Sequence, residues 1–182
     1  DTYGYFTGTS MAAPAVSGTI ALLLQQHHNL CSAEHTLLPS SSKALLIHGA
    51  TDLVDEATPL HPGPDYASGY GRVNGQESVE LLDNYIESVV HDGASNLYPL
   101  TIAAGESSLK VTLVWDDAPA EPNAALTLVN DLDLELVAPD GSTVYGPWIL
   151  DPANPDQPAQ RHSWKVGESG TRDRHNVVEQ VV

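Results

Sequence analysis

The 182 residues carry 24 acidic side chains against 7 basic ones, a formal charge of −17 with an isoelectric point near 4.4, so the chain is not built to neutralise a phosphate backbone and nucleic acid is not an expected partner. No run approaches the roughly 18 consecutive apolar residues of a membrane span, and the first residues lack the basic, apolar and small-residue succession of a secretory leader. With 41% hydrophobic residues there is material for a core, and the single cysteine, Cys31, has no partner for an internal disulfide and reads as a small apolar filler.

The chain changes character along its length, from a helical part over residues 1–90 to a β-rich part over residues 97–182. Residues 12–26 are a nearly continuous small or apolar run, expected to form a buried helix with Pro14 in its first turn. A second helix is expected over 42–49, stopped by Gly49, then a loop over 61–71 rich in Pro, Gly, Asp and Tyr. A third helix over 75–85 would expose Glu77 and Glu80 and bury Val79, Leu82 and Ile86. Beyond it the period falls to two. Leu109, Val111, Leu113 and Trp115 share one face of a strand, and in 131–138 Leu132, Leu134 and Leu136 oppose Asp131, Asp133 and Glu135. Pro139-Asp140-Gly141 predicts a turn, so 131–138 and 143–145 should form a hairpin; 151–158 is an extended loop and 177–182 a last strand. These runs suggest a β-sandwich or jelly-roll module, incomplete at its C-terminal edge.

The sharpest local feature is Gly8-Thr9-Ser10-Met11-Ala12-Ala13-Pro14, small residues around a serine at the head of the first helix. A nucleophilic hydroxyl needs exposure, a base, and N–H donors aimed at the developing oxyanion, and a helix N-terminus supplies the donors. The Ser10 amide can serve as one, Gly8 lets a substrate backbone approach, and Ala12 and Ala13 keep the helix close-packed. By residue physics alone the competing reading is an ordinary N-cap, in which Thr9 or Ser10 satisfies a helix amide.

The run from Gly8 through Pro14 and on to Ala15-Val16-Ser17-Gly18 resembles the serine signature of the subtilisin-like (subtilase, peptidase S8) family, Gly-Thr-Ser-Met-Ala-x-Pro-x-Val-x-Gly, matching at every fixed position. Lys43-Ala44-Leu45-Leu46-Ile47-His48-Gly49-Ala50 and Gly69-Tyr70-Gly71-Arg72-Val73-Asn74 are similar to later parts of that catalytic domain. The resemblance implies a secreted serine endopeptidase acting on protein or peptide substrates through a Ser-His-Asp triad. Ser10 would be the nucleophile and its N–H an oxyanion donor, with Gly8 and Thr9 touching substrate. By the family's order the aspartate, histidine and oxyanion asparagine belong before Asp1, so the chain is expected to be a fragment, inactive alone, whose partner is the missing N-terminal part. Its fold would be the C-terminal part of an α/β parallel-sheet domain followed by an all-β module. His27 and His28 lie about 25 Å along the helix from Ser10 at 1.5 Å per residue, too far to act as its base. His48, His61 and His91 read as surface or packing residues.

The β-rich part resembles the C-terminal β-barrel module of a group of bacterial alkaline subtilases, through Leu128-Val129-Asn130-Asp131-Leu132-Asp133-Leu134, Pro139-Asp140-Gly141 and the run from Asp173 to Val181. It departs from that group at Asn176-Val177, where two asparagines are usual. Asp131, Asp133, Asp140, Asp173, Asn176 and Glu179 are oxygen donors of the kind calcium takes, and the resemblance implies structural calcium there; solvent-facing strand carboxylates and a turn aspartate explain the same residues without a metal. The rival to the enzyme reading is a non-catalytic β-module that stabilises or binds, or the remnant of an inactive homologue. Trp115, Trp148 and Trp164 would then line a carbohydrate face or simply pack in the interior.

Overall fold

A computed structural model describes residues 4–31, 36–55 and 60–182. Three helices, α1 (Thr9–Leu30), α2 (Pro39–His48) and α3 (Gly75–Glu80), precede five short strands, β1 (Val111–Val114), β2 (Leu136–Val137), β3 (Thr143–Tyr145), β4 (Ser163–Lys165) and β5 (Val178–Val181). β1 pairs with β5, and β2, β3 and β4 form a second sheet in that order; every one of these pairings is antiparallel. Mixed helices and small antiparallel sheets are compatible with an α/β part followed by a β part. No parallel pairing occurs among the described strands.

The core of the helical part is small. Leu23 of α1, Leu37, Leu45 of α2 and Leu82 are buried together, with Leu24, Val79, Leu81 and Tyr85 packed around them. Burying side chains of this kind contributes about 1.5–3 kcal/mol each. On its other side α2 meets β1: Lys110 Nζ donates to the His48 carbonyl at 2.8 Å, His48 Nδ1 lies 3.0 Å from Thr112 Oγ1, and Ser40 Oγ donates to Asp116 at 2.7 Å. Burial, and then the Lys110 ammonium, hold the His48 imidazole below its ordinary pKa.

Several expectations need correction. The first helix starts at Thr9, so Pro14 falls in its second turn, where its missing N–H leaves the Ser10 carbonyl without the usual i+4 donor. Nor is α1 a buried helix. Only Leu23 and His27 are buried, because α1 is covered only where its C-terminal half meets the leucine core, and the Ala, Gly and Ser positions upstream stay largely open. Cys31, expected as apolar filler, is exposed just past the helix end. Helix α2 begins at Pro39, whose fixed φ suits a first turn. Helix α3 stops at Glu80 and passes into a 3-10 turn (Leu81–Asp83), which leaves Ile86 68% exposed instead of buried.

In the β part the hairpin forms as expected, with Leu136 opposite Tyr145 and Val137 opposite Val144. The Asp140 carboxylate accepts the Ser142 and Thr143 amides, and these bonds hold its carboxyl below the usual range. The strand expected over 131–138 shrinks to two residues, yet burial still alternates from Asp131 to Ala138. Strand β4 was not anticipated; only three residues long, it offers little alternation to read. None of the three tryptophans is exposed. Trp115 donates to the Asn130 carbonyl, Trp148 lies under Arg161, and Trp164 packs on Gly146, Gly170 and Arg172.

The loop over 61–71 is organised by Asp65, only 2% exposed, whose carboxylate accepts from the Ala67, Ser68 and His61 amides. Beside it Gly71, at φ 105, lets Arg72 and Thr51 exchange two backbone bonds of 2.8 Å; a Cβ there would lie 2.2 Å from the Thr51 carbonyl oxygen. Gly71→Ala should therefore lower stability by at least about 2 kcal/mol, read as a fall in the urea midpoint at unchanged m-value.

Candidate functional site

Ser10 is the second residue of α1 and is exposed. The cap is Gly8, at φ 143 and ψ 171, a conformation that side-chain-bearing residues rarely adopt, and no side chain caps the helix. The Gly8 carbonyl accepts the Met11 and Ala12 amides at 3.0 and 3.2 Å. The N-cap role open to Thr9 or Ser10 on residue physics alone is thus taken by a glycine backbone. The Thr9 and Ser10 amides come before the first intrahelical bond, so both point from the positive end of the dipole with no partner in the helix. Ser10 joins an exposed hydroxyl to an uncommitted N–H on the same residue. Gly8 and Thr9, expected beside the substrate, are exposed with it.

No imidazole among the described residues is hydrogen-bonded to Ser10. His27 is 1% exposed, with Nε2 3.1 Å from the Tyr85 hydroxyl and Nδ1 without a partner; it is a packing residue of the leucine core. His48 faces Thr112, His61 Nε2 lies 3.1 Å from the Asp156 carbonyl, and His91 is exposed. Among the described residues an exposed hydroxyl and an uncommitted N–H thus meet at Ser10, and no imidazole is hydrogen-bonded to them.

The six oxygen donors expected to gather round calcium are dispersed among other partners. Asp131 pairs with Arg174 at 2.8 Å and Asp133 with Arg172 at 3.1 Å, and Arg172 also pairs with Glu135. Asp140 holds its turn. Asp173 accepts the His175 amide and the Asn176 Nδ2 at 2.8 and 2.7 Å. Glu179 is 1% exposed; one carboxylate oxygen accepts the Leu134 amide and the other, Oε1, has no partner. A calcium shell takes about six to eight oxygens. Among the described residues no three His, Cys, Asp or Glu side chains are grouped so as to hold a metal ion, so the donors as arranged do not fit one.

The arginine ladder escaped sequence reading, although its signal was there. Arg172 and Arg174 repeat at the same interval of two as Asp131, Asp133 and Glu135, which suits two extended segments lying side by side. Behind it, burial and the Asp133, Asp173 and Asp131 carboxylates push the Glu179 carboxyl up to about 8, despite the Leu134 amide. Burial, then Asp173 and Glu179, push the Tyr70 hydroxyl up to about 12.

Comparison with known proteins bears on the serine segment first. The model of the subtilase family matches residues 1–71, which include Ser10, α1 and α2. The serine protease/ABC transporter B family protein tagA of Dictyostelium discoideum is 29% identical over 152 residues, covering 72% of this chain and 8% of its own length. The chain thus spans a small part of that relative. A match of 152 residues is longer than the helical part can supply, so the likeness runs into the β part. Both findings support a protease-like function.

The raised Glu179 carboxyl makes stability fall with pH. Its folded pKa, about 8, exceeds the ordinary 4.5, so between those values the folded chain binds the extra proton and each rise in pH works against it. Urea midpoints should drop from pH 5 to pH 8.5. In Glu179→Gln that slope should flatten, and the variant should be the more stable of the two at pH 8.5.

Proposed function

We propose that this chain supplies the nucleophile of a secreted serine endopeptidase that hydrolyses peptide bonds in protein substrates, its histidine base and orienting aspartate coming from outside these 182 residues. The observation that carries the reading is Ser10 itself: an eleven-residue subtilase signature whose serine stands exposed at a helix N-terminus capped by glycine, with its own N–H uncommitted. In that chemistry the Ser10 oxygen attacks the scissile carbonyl as its proton passes to the histidine. The Ser10 amide then donates to the oxyanion as charge develops on it. Gly8 and Thr9 flank the path of the substrate backbone.

Two further observations support the same reading. The open small-residue face of α1 suits a helix that packs against more of its own domain. The β part, in this reading a jelly-roll module, is held to α2 by Lys110, Thr112 and Asp116, so it braces the helix that follows the serine helix. Calcium is left out of this reading, because no three His, Cys, Asp or Glu side chains among the described residues are grouped to hold a metal ion.

Two measurements test this. The chain alone should not turn over a peptide substrate, whereas the full-length enzyme should lose activity by about a millionfold on Ser10→Ala with its melting temperature unchanged; peptidase activity that survives Ser10→Ala removes the assignment. Chelator should leave the melting temperature of the chain unchanged, and a fall on adding chelator would bring calcium back into the reading.

A further inference from the structure

A cavity of about 480 Å³ lies between α2 and the segment that leads into β5, within the size range of small-molecule sites. Ile47, Leu128 and Leu150 give it apolar walls, and Lys43, Tyr70 and His175 bring the Nζ, hydroxyl and imidazole groups to its lining. Each of these three side chains can donate, and none makes a hydrogen bond within the described residues.

Lys43 is the group that decides the chemistry. Lys110, Lys165, Arg161, Arg172 and Arg174 all spend their charge on carbonyls, hydroxyls or carboxylates of the chain. In a molecule of formal charge −17, Arg72 and Lys43 make no side-chain hydrogen bond or ion pair among the described residues, and of these two Lys43 is the one that lines the cavity. Two carboxylates, Asp173 and Glu179, act on the lining Tyr70 hydroxyl; Asp173 is committed to the His175 amide and Asn176, and Glu179 accepts the Leu134 amide. The lining also holds the Thr127 hydroxyl and the Asn176 amide, which can donate or accept, but its one charged group is the Lys43 ammonium; a cation beside apolar walls suits a single negative charge on an otherwise apolar body.

We propose that this cavity binds a small carboxylate with an apolar remainder, Lys43 supplying the counter-charge and Ile47, Leu128 and Leu150 the surface for the apolar part. Free N-acyl amino acids and the C-terminus of a hydrophobic peptide share this chemistry. The site does not depend on the proteolytic reading, since none of its residues belongs to the serine segment.

Calorimetric titration of the full chain with N-acetyl-leucine, its amide, and N-acetyl-Ala-Ala-Leu tests it. The acid should bind with a Kd on the order of 0.1–1 mM, and the amide at least tenfold more weakly. Tighter binding of the tripeptide identifies a peptide C-terminus as the source, and equal binding identifies the free small acid. Lys43→Met should weaken the acid at least tenfold without lowering the melting temperature, as an exposed side chain free of internal bonds permits, and Lys43→Arg should restore it. No binding of the acid, equal binding of acid and amide, or undiminished affinity in Lys43→Met overturns the proposal.

Discussion

Helix α2 presses Leu45 into Leu23, Leu37 and Leu82 on one side and offers His48 and Ser40 to β1 and its extension on the other. The rest of the molecule is arranged around this two-sided contact. Through it the leucine core, small as it is, is joined to the β1–β5 pair, and β5 in turn brings the buried Glu179 beneath the carboxylates of 131–135. The polar half of the contact matters as much as the apolar half. Lys110 uses its charge on the His48 carbonyl at the C-terminus of α2, where a cation also meets the negative end of the dipole.

Against that tight centre, the two ends of α1 differ sharply. Its C-terminal half is anchored by Leu23 and His27, while the half bearing Ser10 stands clear. An exposed helix N-terminus with free amides is the cheapest anion-stabilising device a backbone can make, and it costs nothing further in reorganisation when charge arrives. At the other end of the chain the electrostatics run the opposite way. Glu179 is pressed among carboxylates of which Arg172 and Arg174 neutralise two, and it keeps its proton into the neutral range.

Much of this was legible from the residues, and the failures have physical causes. The Ser10 motif, the Pro139-Asp140-Gly141 turn and the strand ending the chain depend on local chemistry, which a sequence states directly. The burial of α1 does not: Ala12, Ala13 and Gly18 permit close packing, but only a neighbour can provide it. Ile86 failed for a related reason, since the passage from α3 into a tighter 3-10 turn rotated it out of the helical period. The alternation from Asp131 to Glu135 gave burial correctly and pairing wrongly, because period two reports which side faces inward and not what lies alongside. The dispersal of the six oxygen donors was beyond reach, since residue type cannot reveal that arginines forty positions away neutralise two of them.

All three tryptophans, Trp115, Trp148 and Trp164, belong to the β part, each wedged against a carbonyl, an arginine or glycine backbone, and the helical part has none. The molecule is therefore labelled by nature on one side only. Its intrinsic fluorescence follows the sheets while far-ultraviolet circular dichroism follows mainly the helices. Whether the two signals melt together measures how firmly α2 couples one half of the chain to the other.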